Sequence, residues 1–412
     1  MKKSIFCISC LFVFCTCYPE YMAEYIDYSF YENYPNCFTP FREQDRDLDD
    51  YSSGQSNSPA LYAPSYTSPL STNDVYRGVL SQALTNRIHE VAGTYRSVNL
   101  KGDSITLSGK FFYPASGVIK NIVVVSHFTI TSNAEAPSES FSFEGMYAGK
   151  GYGIVIADYI GYGVTRDSIH PYLQADLTAR NVIDMALSIR PFIAKRKLKV
   201  EDDSIILVGY SQGGATTLHV QRLLENYREY KGEFAILKNY AGAGPYDIAA
   251  TYDKCIEIDE IAIPCAVPMI VQGMSVGMDE PLNMEDFFVE PLLSNYDEWI
   301  NSKRYTTNEI AAKIGTTKVS AMLTEQACDK TNPETQRLYA EFMKNSIPAD
   351  FIPQAPLFMY HSKTDKCVPF VNSERMREQF GDRPHITYDF GNYGEHSQAG
   401  ASFILKVLRE LD

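Results

Sequence analysis

The chain has 412 residues, 45% of them hydrophobic and 13% aromatic, which is ample for one large buried core carrying an insertion. Its net charge of -14 and lack of any basic cluster argue against nucleic acid or other polyanions as partners, because a phosphate binder needs concentrated Lys and Arg. An acidic, solvated surface accounts for the charge.

At the N-terminus, Lys2 and Lys3 precede an apolar run over residues 5–14, the length of a signal-peptide core and too short to span a membrane. Residues 1–17 are therefore expected to be a signal peptide and the protein to be exported, either secreted, periplasmic or held at the cell surface. Cleavage after Cys17 would put Cys15 and Cys17 at the small-residue positions. The same residues loosely follow a bacterial lipidation site, which leaves a membrane tether through a lipidated Cys17 open. Residues 18–74, rich in Tyr, Ser, Pro and Asp without apolar period, predict a disordered tether. Past the signal stand five cysteines, Cys37, Cys255, Cys265, Cys328 and Cys367, an odd number that leaves at least one thiol unpaired or bridged between chains. Cys255 and Cys265 could close one short loop.

From residue 75 onward, short apolar runs at 122–125, 154–157, 205–208, 357–360 and 386–390 alternate with helical patterns at 173–190, 216–230, 372–380 and 401–411. This order predicts an α/β fold, a mostly parallel sheet covered by helices. Within it, Gly209, Tyr210, Ser211, Gln212 and Gly213 follow a buried-strand pattern and open a helix. That is the context of a nucleophile elbow, in which small flanking residues let a strained serine project above the sheet. The plainer alternative is a serine that caps the following helix. Between residues 245 and 350 the strand signals stop and a helical, Met-rich stretch intrudes, the place for a cap. Its apolar run at 261–278 is broken by Pro264, Pro268 and Gly273 and followed by charges, so it does not read as a membrane span. It could roof an acyl pocket or form the cap's own core; Met269, Met274, Met278 and Met284 suit either.

A serine nucleophile needs a base, and the base needs a partner that holds its tautomer; in this architecture the chain order is Ser, acid, His. Asp365 stands in the loop after the 357–360 strand. His396 stands in the loop after the last strand and before the terminal helix. Of the other histidines, His219 lies within a helix, His89 precedes the core, His385 comes before a strand and His361 is out of order. Glu395 and Asp389 are the alternative acids. The tetrahedral oxyanion calls for prearranged N–H donors. One is expected from Gln212 and the other from Phe128 or Thr129, in the loop after the 122–125 strand. No metal-ligand spacing surrounds His127, and no phosphate-binding loop is present, so no cofactor or metal is expected.

These segments resemble the α/β-hydrolase secretory lipases of fungi and bacteria, the Candida lipase A type. The matching residues are Gly209 through Gly214, residues 170–173 (His, Pro, Tyr, Leu) with the helix behind them, residues 241–247 (Ala, Gly, Ala, Gly, Pro, Tyr, Asp), residues 365–369 and His396; together they span roughly residues 80–412. The resemblance implies a capped α/β-hydrolase acting on carboxylic esters, with Ser211, Asp365 and His396 as the triad. The oxyanion segment at 126–130 departs from the better-known members, and the tether is unrelated to them.

The expected function is hydrolysis of a small-molecule or lipid ester through an acyl-enzyme, with lipid or other hydrophobic esters favoured by the apolar cap. A carbohydrate esterase releasing acetyl or feruloyl groups and a serine peptidase of the same fold are the alternatives. A binding module built on a dead hydrolase predicts a missing triad member, and none is missing.

Overall fold

A computed structural model describes residues 26–29, 32–48 and 87–411. The expected signal peptide, lipidation site and most of the tether lie outside these residues. Among the described residues nine strands form one sheet: β1 (Thr39–Asp47), β2 (Arg87–Val98), β3 (Ser104–Pro114), β4 (Ile122–Ser126), β5 (Gly153–Ala157), β6 (Ile205–Tyr210), β7 (Ile236–Gly242), β8 (Leu357–Ser362) and β9 (Ile386–Gly391). Their spatial order is β1-β2-β3-β5-β4-β6-β7-β8-β9. Pairing is antiparallel from β1 to β5 and parallel across β5, β4, β6, β7, β8 and β9.

The central strands are continuous apolar runs because both faces are covered. Every residue of β4, β5 and β6 is buried, as expected for parallel strands roofed by helices on two sides. One face is covered by α1 (Ala175–Arg196) and α2 (Gln212–Asn226), in a core that includes Val124, Val155, Leu207, Val182 and Leu223. The other is covered by the terminal helix α8 (His396–Glu410), whose Phe403 and Val407 pack with Val125, Ile156 and Val208. Helix α1 runs six residues past the predicted end, through Pro191. Burial of Ile189, Phe192 and Ile193 overrides the proline's lost N–H.

The tether expectation is corrected over residues 39–47. β1 pairs with β2 from Thr39 opposite Thr94 to Asp47 opposite Arg87. Its residues are mostly exposed and charged, so no apolar period marks it. It is held by the backbone ladder, by the Arg46–Glu90 ion pair at 2.6 Å, and by the flanking Phe38 and Leu48, both buried. The short loop that Cys255 and Cys265 could close is not bridged, both being free buried thiols.

Between β7 and β8 the chain leaves the sheet and builds α3 (Ile248–Ile258), α4 (Ala266–Ser275), α5 (Thr307–Ile314) and α6 (Pro333–Asn345), and α7 (Val371–Phe380) joins β8 to β9. Helices α3 to α6 surround a separate apolar core containing Val271, Met274, Phe287, Met322, Leu338 and Phe342, joined by Tyr172 and Leu173 from the sheet side. All ten residues of α4 are buried, so the apolar run is the core of this insertion. Among the described residues no helix is long and apolar enough to cross a membrane.

Candidate active site

Strand β6 delivers Ser211 and α2 carries the chain away from it. Ser211 has φ 60° and ψ -125°, a conformation that costs of the order of 1–3 kcal/mol and that a surrounding structure must impose. Imposition comes from close backbone contact. A Cβ on Gly209 would run into the carbonyl of Gly213, and one on Gly214 into the carbonyl of Gly242. The Ser211 N–H donates to the Gly242 carbonyl at 2.9 Å. The turn is thus clamped between β6, α2 and the end of β7, and the serine hydroxyl faces the C-terminal edge of the sheet.

Strands β8 and β9 bring the acid and the histidine to the same edge. His396 Nε2 lies 2.8 Å from Ser211 Oγ, and His396 Nδ1 lies 2.6 Å from Asp365 Oδ2. A carboxylate only accepts, so Nδ1 carries the proton and Nε2 presents its lone pair to the serine hydroxyl. The other carboxylate oxygen of Asp365 accepts from the N–H groups of Cys367 at 2.8 Å and Val368 at 2.9 Å. Burial by itself would raise Asp365; the facing His396 and the hydrogen bonds from His361 and His396 outweigh it and hold the carboxyl well below the usual range. Asp365 is therefore an anion. The histidine loop is tied to the acid loop at Gly394, whose carbonyl accepts from Ser362 Oγ at 2.6 Å and Thr364 Oγ1 at 2.9 Å. Tyr210, beside the serine, donates to the His396 carbonyl at 2.6 Å and fixes the start of α8.

The competing residues are engaged elsewhere. Glu395 caps α8 in a capping box with Gln398. Asp389 pairs with Lys406 at 2.8 Å. His219 faces Asp176, His89 faces Asp45, and His385 contacts the Pro353 carbonyl. His361 supports the acid loop, accepting from Ser373 Oγ at 2.7 Å and reaching the Val368 carbonyl at 2.9 Å and Asp365 at 3.4 Å.

Ser211, His396, Phe128 and Thr129 line one cavity of about 360 Å³. Gln212 opens α2, and its N–H has no partner among the described residues, the usual state of a first-turn amide. Thr129 N–H is likewise without a partner, and its hydroxyl is 2.7 Å from Tyr172 OH. His127, just before them, donates to the Phe128 carbonyl at 2.6 Å and stacks on Tyr159 at 3.9 Å. Burial lowers its pKa to about 4 against the pull of the Phe128 and Asp158 carbonyls, so it stays neutral. The rest of the wall is mixed. Glu135, Glu260, Lys366 and Glu395 are charged; only Ala262, Ile263 and Ala311 join Phe128 as apolar lining. The composition of this wall was not legible in the sequence, because Glu135, Glu260 and Lys366 come from three separate loops.

A helix-covered parallel sheet with a strained serine between strand and helix, and an acid and a histidine on the following strand ends, defines an α/β-hydrolase. The chain belongs to the secretory lipase family, whose sequence model matches residues 146–399, and is a carboxylic ester hydrolase. Its fold is similar to that of a rice cell wall degrading esterase, LipA from Xanthomonas oryzae, with a TM-score of 0.69 and 18% identity, covering 90% of this chain and 96% of that one. A putative hydrolase from Legionella pneumophila aligns with a TM-score of 0.68 at 18% identity over 82% of this chain and 94% of that one. Lipase A from Candida antarctica aligns with a TM-score of 0.55 at 15% identity over 87% of this chain and 77% of that one. A search of curated proteins gave no match.

Proposed function

We propose that the protein is an exported serine esterase that works through an acyl-enzyme, with Ser211 as nucleophile, His396 as general base and acid, and Asp365 as the partner of His396. One observation carries the reading: the unbroken hydrogen-bond chain from Asp365 through His396 to Ser211 at the wall of a cavity. As Ser211 Oγ attacks the acyl carbon, its proton passes to His396 Nε2 and Asp365 stabilises the imidazolium. The oxyanion forms toward the N–H groups of Gln212 and of the 128–129 segment, where the Thr129 N–H has no partner among the described residues. Collapse returns the proton to the leaving alkoxide. Water then repeats the sequence, giving up a proton to His396, and free acid and enzyme result. The family and the basic, apolar N-terminal sequence support export.

The cavity wall favours short acyl groups on polar alcohols over long-chain lipid. A tunnel for a fatty chain is normally apolar along its length, and here four charged side chains share a space of about 360 Å³. The Xanthomonas protein's description as a cell wall degrading esterase is in keeping with such a substrate. Hydrolysis of p-nitrophenyl acetate, butyrate, octanoate and palmitate, with Ser211→Ala alongside, tests both parts. Activity that disappears with Ser211 and peaks at acetate or butyrate is expected. A palmitate optimum would overturn the polar-substrate reading, and activity retained by Ser211→Ala would overturn the mechanism.

A further inference from the structure

We propose that residues 170–172 form a bracket that positions both oxyanion donors, His170 acting through the side chain of Gln212 and Tyr172 through the hydroxyl of Thr129. The inference rests on the oxyanion assignment above and adds two positioning residues to it. His170 Nδ1 is 2.7 Å from the Ile160 carbonyl, which can only accept, so the proton sits on Nδ1. Nε2 is left with a lone pair, and the Gln212 side-chain amide donates to it at 3.1 Å. His170 and Gln212 are both buried, at 6% and 1% exposure, so water does not substitute for either partner. Burial depresses the His170 pKa to about 3, and the imidazole remains an acceptor throughout the working range of an esterase. Gln212 directly follows the nucleophile; anchoring its side chain fixes the peptide plane whose N–H faces the oxyanion.

The second arm is two residues away. Tyr172 OH meets Thr129 Oγ1 at 2.7 Å, with Tyr172 5% exposed, and so pins the loop carrying the other donor. The bracket itself is rigid. Gly161, at φ 94°, lies against the His170 backbone, where a Cβ would come within 2.7 Å of its Cα. On the far side Gly273 of α4 lies against Tyr172, where a Cβ would come within 2.7 Å of its backbone nitrogen. The side chain of Gln174 donates to the Gly273 carbonyl at 3.0 Å. His170 and Tyr172 are thus seated between the sheet and the buried helix of the insertion, and from there reach one donor each.

The test uses the full chain with Tyr172→Phe, Thr129→Val, their double variant, Gln212→Met, His170→Gln and Ser211→Ala. Each is measured for kcat and KM on p-nitrophenyl butyrate, for thermal midpoint, and for inhibition by a trifluoromethyl ketone, whose adduct with a serine carries an oxyanion. Tyr172→Phe, Thr129→Val and Gln212→Met are each expected to lower kcat about tenfold with KM within about twofold, and to raise the ketone Ki by the factor that kcat/KM falls. The Tyr172 and Thr129 double variant should be no worse than either single, since both remove one hydrogen bond. His170→Gln, which keeps an acceptor, should retain most of the activity. Wild-type kcat and Ki in Tyr172→Phe and Gln212→Met, with Ser211→Ala inactive, would overturn the bracket and leave the serine mechanism intact. Effects of Tyr172→Phe and Thr129→Val that multiply would overturn the Tyr172 route, and an active Ser211→Ala would overturn the bracket together with the mechanism it serves.

Discussion

The backbone carbonyl of Ser126 occupies the space that a Cβ on Gly213 would need. This contact joins the end of β4, which leads into the proposed oxyanion loop, to the first turn of α2. Backbone cannot yield as a flexible side chain can, so Gly213→Ala is expected to destabilise the fold by about 3 kcal/mol or more, or to prevent accumulation of folded protein. Gly232→Ala is the control: at φ 89° with nothing near its Cβ position, it should cost only about 1 kcal/mol. Thermal midpoints of the two variants check the difference.

Asp365→Asn should leave the fold intact and stop the chemistry. The two N–H donors from Cys367 and Val368 would keep the amide oxygen on their side and turn the amide NH₂ toward His396. His396 would then have to accept at Nδ1 and carry its proton on Nε2, where it cannot take one from Ser211. A fall in kcat of about four orders of magnitude with little change in KM or melting temperature is expected. A loss below tenfold would show that another group orients His396.

Asp184 makes one separable contribution to the pH dependence of stability. Burial raises its pKa to about 6 against the opposing pull of the Ser97 hydroxyl and Arg180, with Glu229 adding to the rise. Between 3.8 and about 6 the folded chain holds on Asp184 a proton that the unfolded chain has released, so the contribution of this group to stability falls as pH climbs through that window and stays lower above it, opposite in sign to that of the buried His127 and His170. Asp184→Asn imitates the protonated form. It should exceed the parent by about 1–2 kcal/mol at about pH 8 and match it at about pH 4. Urea denaturation at the two values measures this, and equal stabilities at the higher pH would refute it.

Buried thiols should be chemically silent in the native state. Cys255 and Cys265 are pushed up to about 12, by burial first and then by the charges of Asp365 and Glu135 respectively. Ellman's reagent is expected to modify Cys37 and Cys328, which are partly exposed, and to reach Cys255, Cys265 and Cys367 only after unfolding. A mass 2 Da lower without reductant would instead reveal a bridge.

Much of the site was readable because short-range chemistry marked it. A glycine-flanked serine between an apolar run and a helix, and an acid and a histidine each just past a later strand, are local patterns, and chain order linked them. Four strands had no place among the expected apolar runs, β1, β2, β3 and β7. β1 is polar and gains its place from the ladder with β2 and the Arg46–Glu90 pair. Helix α1 passes through Pro191 because its apolar face is buried on the sheet.

The sequence by itself determined the parallel, helix-covered sheet, the serine turn and the identity of the residues at its edge, because strand period, helix period and turn chemistry act within a few neighbours. Only the tertiary structure decided the His396 tautomer, the polar wall of the cavity and the contacts of His170 with Gln212 and Tyr172 with Thr129. The hydrogen bonds among them join side chains 31, 42 and 43 residues apart, and no local propensity records such a meeting.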